Sequence, residues 1–412
     1  MLIKNMLRLQ ILSMLFISTI VLGQETLRLT TYNLLNYNGT QRNDYFETVL
    51  EAIQPQIIIV QEISSQTAVD NFATTVLDNE YHTIPFHNGN DSDNHIFFDP
   101  YTVQIISADY ITTDLRDIAE YKLEIMSSRE NVYIYSTHLK ASQGTDNEAR
   151  RLAEVTILRN RLDALPENTN FIFVGDLNLY SSSEPAYQKL LEQVNGTFGH
   201  LYDPIDAPGK WHDTASFASI HSQSPRVETL SDGGASGGMD DRFDFILISE
   251  SLLDNAISNS YMAYGNDGQH FNQSINAGTN NAVDAAVANA LYYASDHLPV
   301  VMDITFGITP VDGTEKPGTA ISFALAQNYP NPFNPSTTIR FQLPVRAGIN
   351  LEIFDITGKK VVSLANGIFN AGSHQVEWNT LDSKGNLLPS GVYFYQLRSG
   401  TFVETKKMFL IR

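Results

Sequence analysis

The segment FIFVGDLN (171–178) decides the fold. Its apolar run is aromatic and β-branched and too short for a helix, so it reads as one buried strand. The run delivers Asp176 and Asn178, which share a face if the chain is still extended there. Five other segments repeat this design. TTYN (30–33) ends in Asn33, QIIIVQE (56–62) in Glu62 and VYIYSTH (132–138) in His138; RFDFILIS (242–249) carries Asp244, and SDHLPVVMDI (295–304) opens with Asp296 and His297. Strands that each bring a carboxylate, amide or imidazole to one end build a shared polar pocket above a sheet. Oxygen donors with few imidazoles suit a hard cation such as Mg²⁺, Mn²⁺ or Ca²⁺ better than zinc.

Between these strands lie helical stretches at 42–53, 65–79 and 146–165. The last is the clearest, with Leu152, Val155, Leu158 and Leu162 along one face. IFFDPYTVQIISADYI and AEYKLEIMSSRENVYIYSTH read as strand pairs, the second hinged at Ser-Ser-Arg-Glu-Asn. Two loops are long for a compact domain: the acidic, Gly-rich SDGGASGGMDD (231–241), and the connection from the RFDF strand to Ser295, with its own short helix near 282–293. The second is either a surface insertion or a substrate-shaping element, and its Asp267 and His270 are within its reach of a site. Asp232, Asp240 and Asp241 form either a second, structural Ca²⁺ site or a solvated acidic loop.

A chain of 412 residues exceeds one typical core and calls for two domains. Residues 1–23 place Lys4 and Arg8 before ILSMLFISTIVLG and end at Gly23, as a cleaved signal peptide does; an uncleaved anchor is the alternative. The absence of cysteine rules out thiolate metal sites and cysteine nucleophiles. After residue 306 a Gly/Pro/Thr-rich linker (307–320) leads to short strands with turn signals in 321–412, an all-β sandwich pattern. Charge divides along the same boundary. Residues 321–412 hold nine Lys/Arg and five Asp/Glu, whereas 24–320 hold 15 against 41, a net −26. Such an acidic surface argues against tight nonspecific binding to nucleic acid, though not against its hydrolysis, and it favours solubility.

The six strand-end motifs, in this order over residues 26–306, resemble the endonuclease/exonuclease/phosphatase superfamily. That resemblance implies a four-layered α/β sandwich, two packed sheets flanked by helices, over 24–306, with a divalent-metal-dependent phosphoesterase site. Carried onto this chain, Glu62 with Asn33 and Asp296 makes the metal environment. Asp176 orients or deprotonates water, and Asn178 binds the scissile phosphate. His297 is the base or electrostatic partner, with its tautomer fixed by Asp244, and His138 donates to the phosphate or leaving oxygen. Arg116 stands where the family often places a phosphate-contacting Arg; Arg151 is the weaker candidate, a solvated helix arginine. Asn94 stands where other members orient this histidine with Glu. His138 itself separates the chain from apurinic endonucleases, which typically have Asn there.

FALAQNYPNPFNPSTTI, LEIFDITGKKVVSL and SGVYFYQLRSGTFVETKKMFLIR resemble the type A sorting domain of the Bacteroidetes type-nine secretion system, a small Ig-like sandwich. The resemblance implies a partner in the outer-membrane secretion machinery and a secreted or surface location; an adhesive or carbohydrate-binding module is the alternative. The expected function is a secreted, monomeric, Mg²⁺- or Mn²⁺-dependent endonuclease acting on DNA. The alternatives are a phosphodiesterase or phosphatase for lipid head groups or small phosphate esters, and a surface-binding protein without activity.

Overall fold

In the run FIFVGD, side chains alternate across a strand buried on both faces. Phe171 and Phe173 join one apolar cluster, Ile172 and Val174 another. A strand covered on both sides is the middle of a layered structure, which is how the computed structural model is built. It describes residues 24–307 and 323–411, apart from 40, 91, 92, 258, 329, 344, 345, 370, 371, 382–385 and 401. The signal peptide expected at 1–23 and the linker after Gly307 lie outside the described residues.

The first part contains strands β1 (Gln24–Tyr37), β2 (Ile57–Ile63), β3 (His82–Thr83), β4 (Asp93–Phe98), β5 (Val103–Ile111), β6 (Ile118–Ile125), β7 (Asn131–His138), β8 (Asn170–Asp176), β9 (Leu201–Tyr202), β10 (Asp244–Ser249), β11 (Met262–Ala263) and β12 (Val300–Gly307). They form two six-stranded mixed sheets, ordered β11-β12-β1-β2-β4-β3 and β5-β6-β7-β8-β10-β9. Each has a parallel pair at its centre, β1 with β2 and β7 with β8. Leu29, Ile57 and Ile304 from the first sheet and Val132, Ile134 and Ile172 from the second line one apolar space, so the sheets face each other.

Helices α1 (Asn43–Ile53), α2 (Gln66–Asn71) and α5 (Ala285–Ala294) cover the first sheet, where Phe46, Val49, Val69 and Leu291 join its core. Helices α3 (Thr145–Asp163) and α4 (Pro185–Leu191) cover the second through Val155, Leu158, Leu162 and Leu190. Each such side chain contributes about 1.5–3 kcal/mol of burial. This is the four-layered sandwich that the family resemblance implies. Its element bounds differ in two places: the stretch at 65–79 is α2 followed by a π-turn at Phe72–Val76, and α4, too short for a clear period, was not foreseen.

The C-terminal part is all-β. Strands β13 (Ala324–Leu325), β14 (Thr337–Leu343), β15 (Ala347–Asp355), β16 (Lys360–Phe369), β17 (Gly372–Trp378), β18 (Gly391–Ser399) and β19 (Phe402–Leu410) form antiparallel sheets β13-β14-β17 and β16-β15-β18-β19. Ile339, Phe341, Leu351, Ile353, Tyr395 and Leu397 fill one core, consistent with an Ig-like sandwich.

Candidate active site

Strand register sets out the site. In the second sheet His138 pairs with Asp176 across the parallel β7–β8 ladder, and Asp176 pairs with Asp244 across the antiparallel β8–β10 ladder. Three chemistry-bearing residues therefore stand in one row at the ends of adjacent strands. In the facing sheet Asn33 pairs with Gln61, next to Glu62.

The last turn of β2 is distorted to aim Glu62. Its φ is +61°, a left-handed conformation that costs a non-glycine residue about 1–3 kcal/mol. The ladders on both sides of β2 shift register there. Glu62 Oε2 then accepts Asn36 N–H at 2.9 Å, and Oε1 accepts Asn33 Nδ2 at 3.0 Å. The same Asn33 Nδ2 lies 3.1 Å from Asp176 Oδ2, so one amide ties together carboxylates from both sheets.

Gly175 makes the approach of β8 to β7 possible. It has φ +135°, and a Cβ there would lie 1.9 Å from the Thr137 carbonyl oxygen. Beyond Asp176 the chain does not remain extended, contrary to the sequence reading. Asn178 has φ +50°, and its N–H donates to Asp176 Oδ1 at 3.1 Å. A side-chain turn, rather than alternation along a strand, brings these residues together. Asn178 Nδ2 also donates to the Leu139 carbonyl at 3.4 Å.

His297 Nδ1 is 2.7 Å from Asp244 Oδ2, which also accepts the Ser222 hydroxyl at 2.6 Å. The opposite nitrogen, Nε2, lies 2.6 Å from the Gln223 side-chain amide and 3.6 Å from Asp176 Oδ2. His138 Nε2 is 3.4 Å from Asp176 Oδ2, and its Nδ1 is 3.5 Å from Glu62 Oε1. Asn94 does not orient this ring. Its amide bridges Ser136 Oγ at 3.0 Å and the Asp117 carbonyl at 3.2 Å.

Electrostatics divide the titratable groups. Burial works to lower His297, but the Coulombic pull of Asp244 and Asp176 wins and raises it well above the ordinary histidine value. His138 goes the other way: burial, then Arg116 and His297, hold it neutral. Burial, with Asp244 and Glu62 adding, pushes Asp176 up to about 7 against the pull of His297 and Asn33. A carboxylate so crowded by others carries charge that a bound cation would relieve. Glu62 and Asp176, from facing strands and joined by Asn33, offer the oxygen donors a hard cation takes.

Asp296 is turned to the 231–241 loop: its Oδ2 accepts Ala235 N–H at 2.6 Å. Arg116 Nη1 donates to the carbonyls of His138 (3.2 Å) and Leu139 (3.4 Å), which places it beside the histidine. Arg151 is not solvated as expected. It is wholly buried, with Nε and Nη2 on Glu184 Oε2 at 3.0 and 2.8 Å and Nη1 on the Lys140 and Ser142 carbonyls, and so it braces the loop after His138. His270 and Asp267 satisfy each other at 2.8 Å inside the insertion. The expected Asp232, Asp240, Asp241 trio is also rearranged. Asp232 pairs with Arg226 at 2.8 Å, while Asp240 and Asp241 gather with His212, their ligand atoms all within 4.8 Å. Sequence reading missed Ser222, Gln223 and Ala235, which lie in irregular loops and meet His297, Asp244 and Asp296 only in three dimensions.

Residues 30–297 match the profile of the Endonuclease/Exonuclease/phosphatase family, and residues 327–411 that of the Secretion system C-terminal sorting domain. The latter marks the chain for export to the cell surface or extracellular space. Among the described residues no helix is long and apolar enough to cross a membrane. No curated protein matches the chain. Similar solved structures include an endonuclease/exonuclease/phosphatase from Bacteroides vulgatus (13% identity, 68% of this chain and 98% of that one, TM-score 0.47). Truncated TDP2 from Caenorhabditis elegans is another (14%, 68% and 98%, TM-score 0.46), as is the human Nocturnin catalytic domain (17%, 69% and 97%, TM-score 0.41).

Proposed function

The chain belongs to the Endonuclease/Exonuclease/phosphatase family, whose members are phosphoric ester hydrolases, and on that premise we propose that it is an exported, divalent-metal-dependent endonuclease that hydrolyses DNA. The observation that carries this reading is the row His138–Asp176–Asp244, closed by His297 on Asp244 and faced by Glu62 and Asn33 from the other sheet.

Phosphodiester hydrolysis needs an in-line water, neutralisation of charge on the phosphoryl oxygens and help for the departing alkoxide. Glu62 and Asp176, supported by Asn33, would hold Mg²⁺ or Mn²⁺, and the family resemblance adds Asp296 to that environment. When bound, that cation neutralises phosphoryl charge and favours departure of the alkoxide.

The chain's own groups do the rest. Asp176 orients the water and takes its proton. His297, fixed through Nδ1 by Asp244 and with Nε2 3.6 Å from Asp176 Oδ2, acts as an electrostatic partner beside the base. His138, neutral and bordered by two carboxylates, donates to the phosphate or leaving oxygen. Asn178 and Arg116, anchored on the Leu139 and His138 carbonyls, stand beside His138 to contact the same phosphate.

Supercoiled-plasmid nicking by the chain with Mg²⁺ or Mn²⁺ tests this. Nicking lost in EDTA, in His138→Ala and in His297→Ala is the expected result. Hydrolysis of a lipid phosphodiester with no nicking would keep the phosphoesterase site and overturn DNA as its substrate.

A further inference from the structure

At the same end of the sheets, the loop from β3 to β4, both in the first sheet, leans over to the second at His87 and Gly89. Gly89 N–H donates to Asp93 Oδ1 at 2.9 Å. A Cβ at this position would lie 2.9 Å from that oxygen and 3.3 Å from Asp117 Oδ2, so the missing side chain lets the loop lie against both carboxylates. The loop lays His87 flat on Tyr110, with ring centroids 3.5 Å apart and planes at 10°. His87 Nε2 is 2.9 Å from Asp117 Oδ2. Tyr110 thus covers one face of the imidazole and Asp117 fixes its edge. The side chain remains 32% exposed at the rim.

This platform has a definite relation to the proposed site. Asp117 directly follows Arg116, and by the β6–β7 register (Ala119 opposite Ser136) it stands level with His138. His87 Nε2, 2.9 Å from Asp117 Oδ2, therefore stands beside the residue that follows Arg116, on the flank of a phosphate held by Arg116 and His138. The flanking Asp93 and Asp117 would repel a second phosphate or an anionic head group. What fits is a flat, uncharged ring whose face stacks and whose edge N–H groups can meet carboxylates. We propose that the His87–Tyr110 stack is a subsite for the nucleobase next to the scissile phosphate. This rests on the nuclease reading and deepens it: the enzyme grips its substrate by a base as well as by the backbone.

The test compares a DNA oligonucleotide with an oligomer of the same length in which tetrahydrofuran units replace every nucleoside, using the full chain with Mn²⁺. His87→Ala should raise KM for the DNA about 5- to 100-fold, the range expected for one stacked base. Its kcat should hold, and KM for the baseless oligomer should stay within about twofold. His87→Phe, which keeps a flat ring, should restore KM, whereas His87→Leu, which does not, should resemble alanine even where alanine loosens the loop. An equal loss on both oligomers, or no loss on either, overturns the subsite while plasmid nicking leaves the nuclease reading standing. Hydrolysis of lipid diesters without hydrolysis of DNA removes both.

Discussion

Asp244→Asn is the sharpest probe of how His297 works. The carboxylate is 1% exposed and lies 2.7 Å from Nδ1 of a ring that is itself buried. At an effective dielectric of about 20 and roughly 4 Å between charge centres, the pair is worth on the order of 4 kcal/mol. Asparagine keeps the shape and, with its oxygen toward Nδ1–H, a neutral hydrogen bond of about half the strength of the charged one. The variant should therefore lose about 2–4 kcal/mol of transition-state stabilisation, a drop in kcat/KM of about 30- to 1000-fold. The pH profile distinguishes the roles. Without Asp244 the His297 pKa falls toward its ordinary value, so if the imidazolium is the working form, the alkaline limb of activity moves to lower pH. Steady-state nicking from pH 5 to 10, with thermal unfolding measured alongside, reads both effects. A loss under about 3-fold, or movement of the acid limb instead, would refute the electrostatic role.

Other expectations follow from single contacts. His95, wholly buried with Nε2 2.5 Å from Thr83 Oγ1, is pushed by burial down to about 3, below its unfolded value of 6.5. Its neutral form contributes stability that is present above pH 6.5 and lost as pH falls toward 3. At pH 5 the loss is about 2 kcal/mol, and His95→Gln should flatten the acid slope of urea midpoints by that amount. Gly175→Ala would drive a Cβ to 1.9 Å from the Thr137 carbonyl at φ +135°; destabilisation of about 3 kcal/mol or more is expected by chemical denaturation, and a near-neutral result would count against the tight β7–β8 approach. Mn²⁺ at a hundredfold excess over its Kd should stabilise the chain by about 2.7 kcal/mol in thermal unfolding. Glu62→Gln should abolish most of that gain, and an unchanged gain would place the metal elsewhere.

The sequence by itself determined the buried strands and the polar residues that end them, while the layering followed from the family resemblance. FIFVGD reads as a buried strand from its short aromatic and β-branched run, and in the structure Phe171 and Phe173 join one cluster while Ile172 and Val174 join another. Polar residues that end such runs have nowhere to go but the rim of a sheet, which is why Asn33, Glu62, His138, Asp176, Asp244 and His297 were legible. Only tertiary structure decided how they are aimed. The left-handed conformation at Glu62, where the ladders on both sides shift register, runs against local preference, whereas that at Asn178 is one its side chain favours. Ser222, Gln223 and Ala235 carry no periodic signal and meet the site across 22 to 74 residues of chain. Arg151 looks like a surface residue on the helical pattern, and only the packing of α3 against the turn at Glu184 buries it. Periodicity records which residues leave water, since that is a property of short segments; which groups then face one another depends on loops whose shape is fixed by contacts distant in sequence.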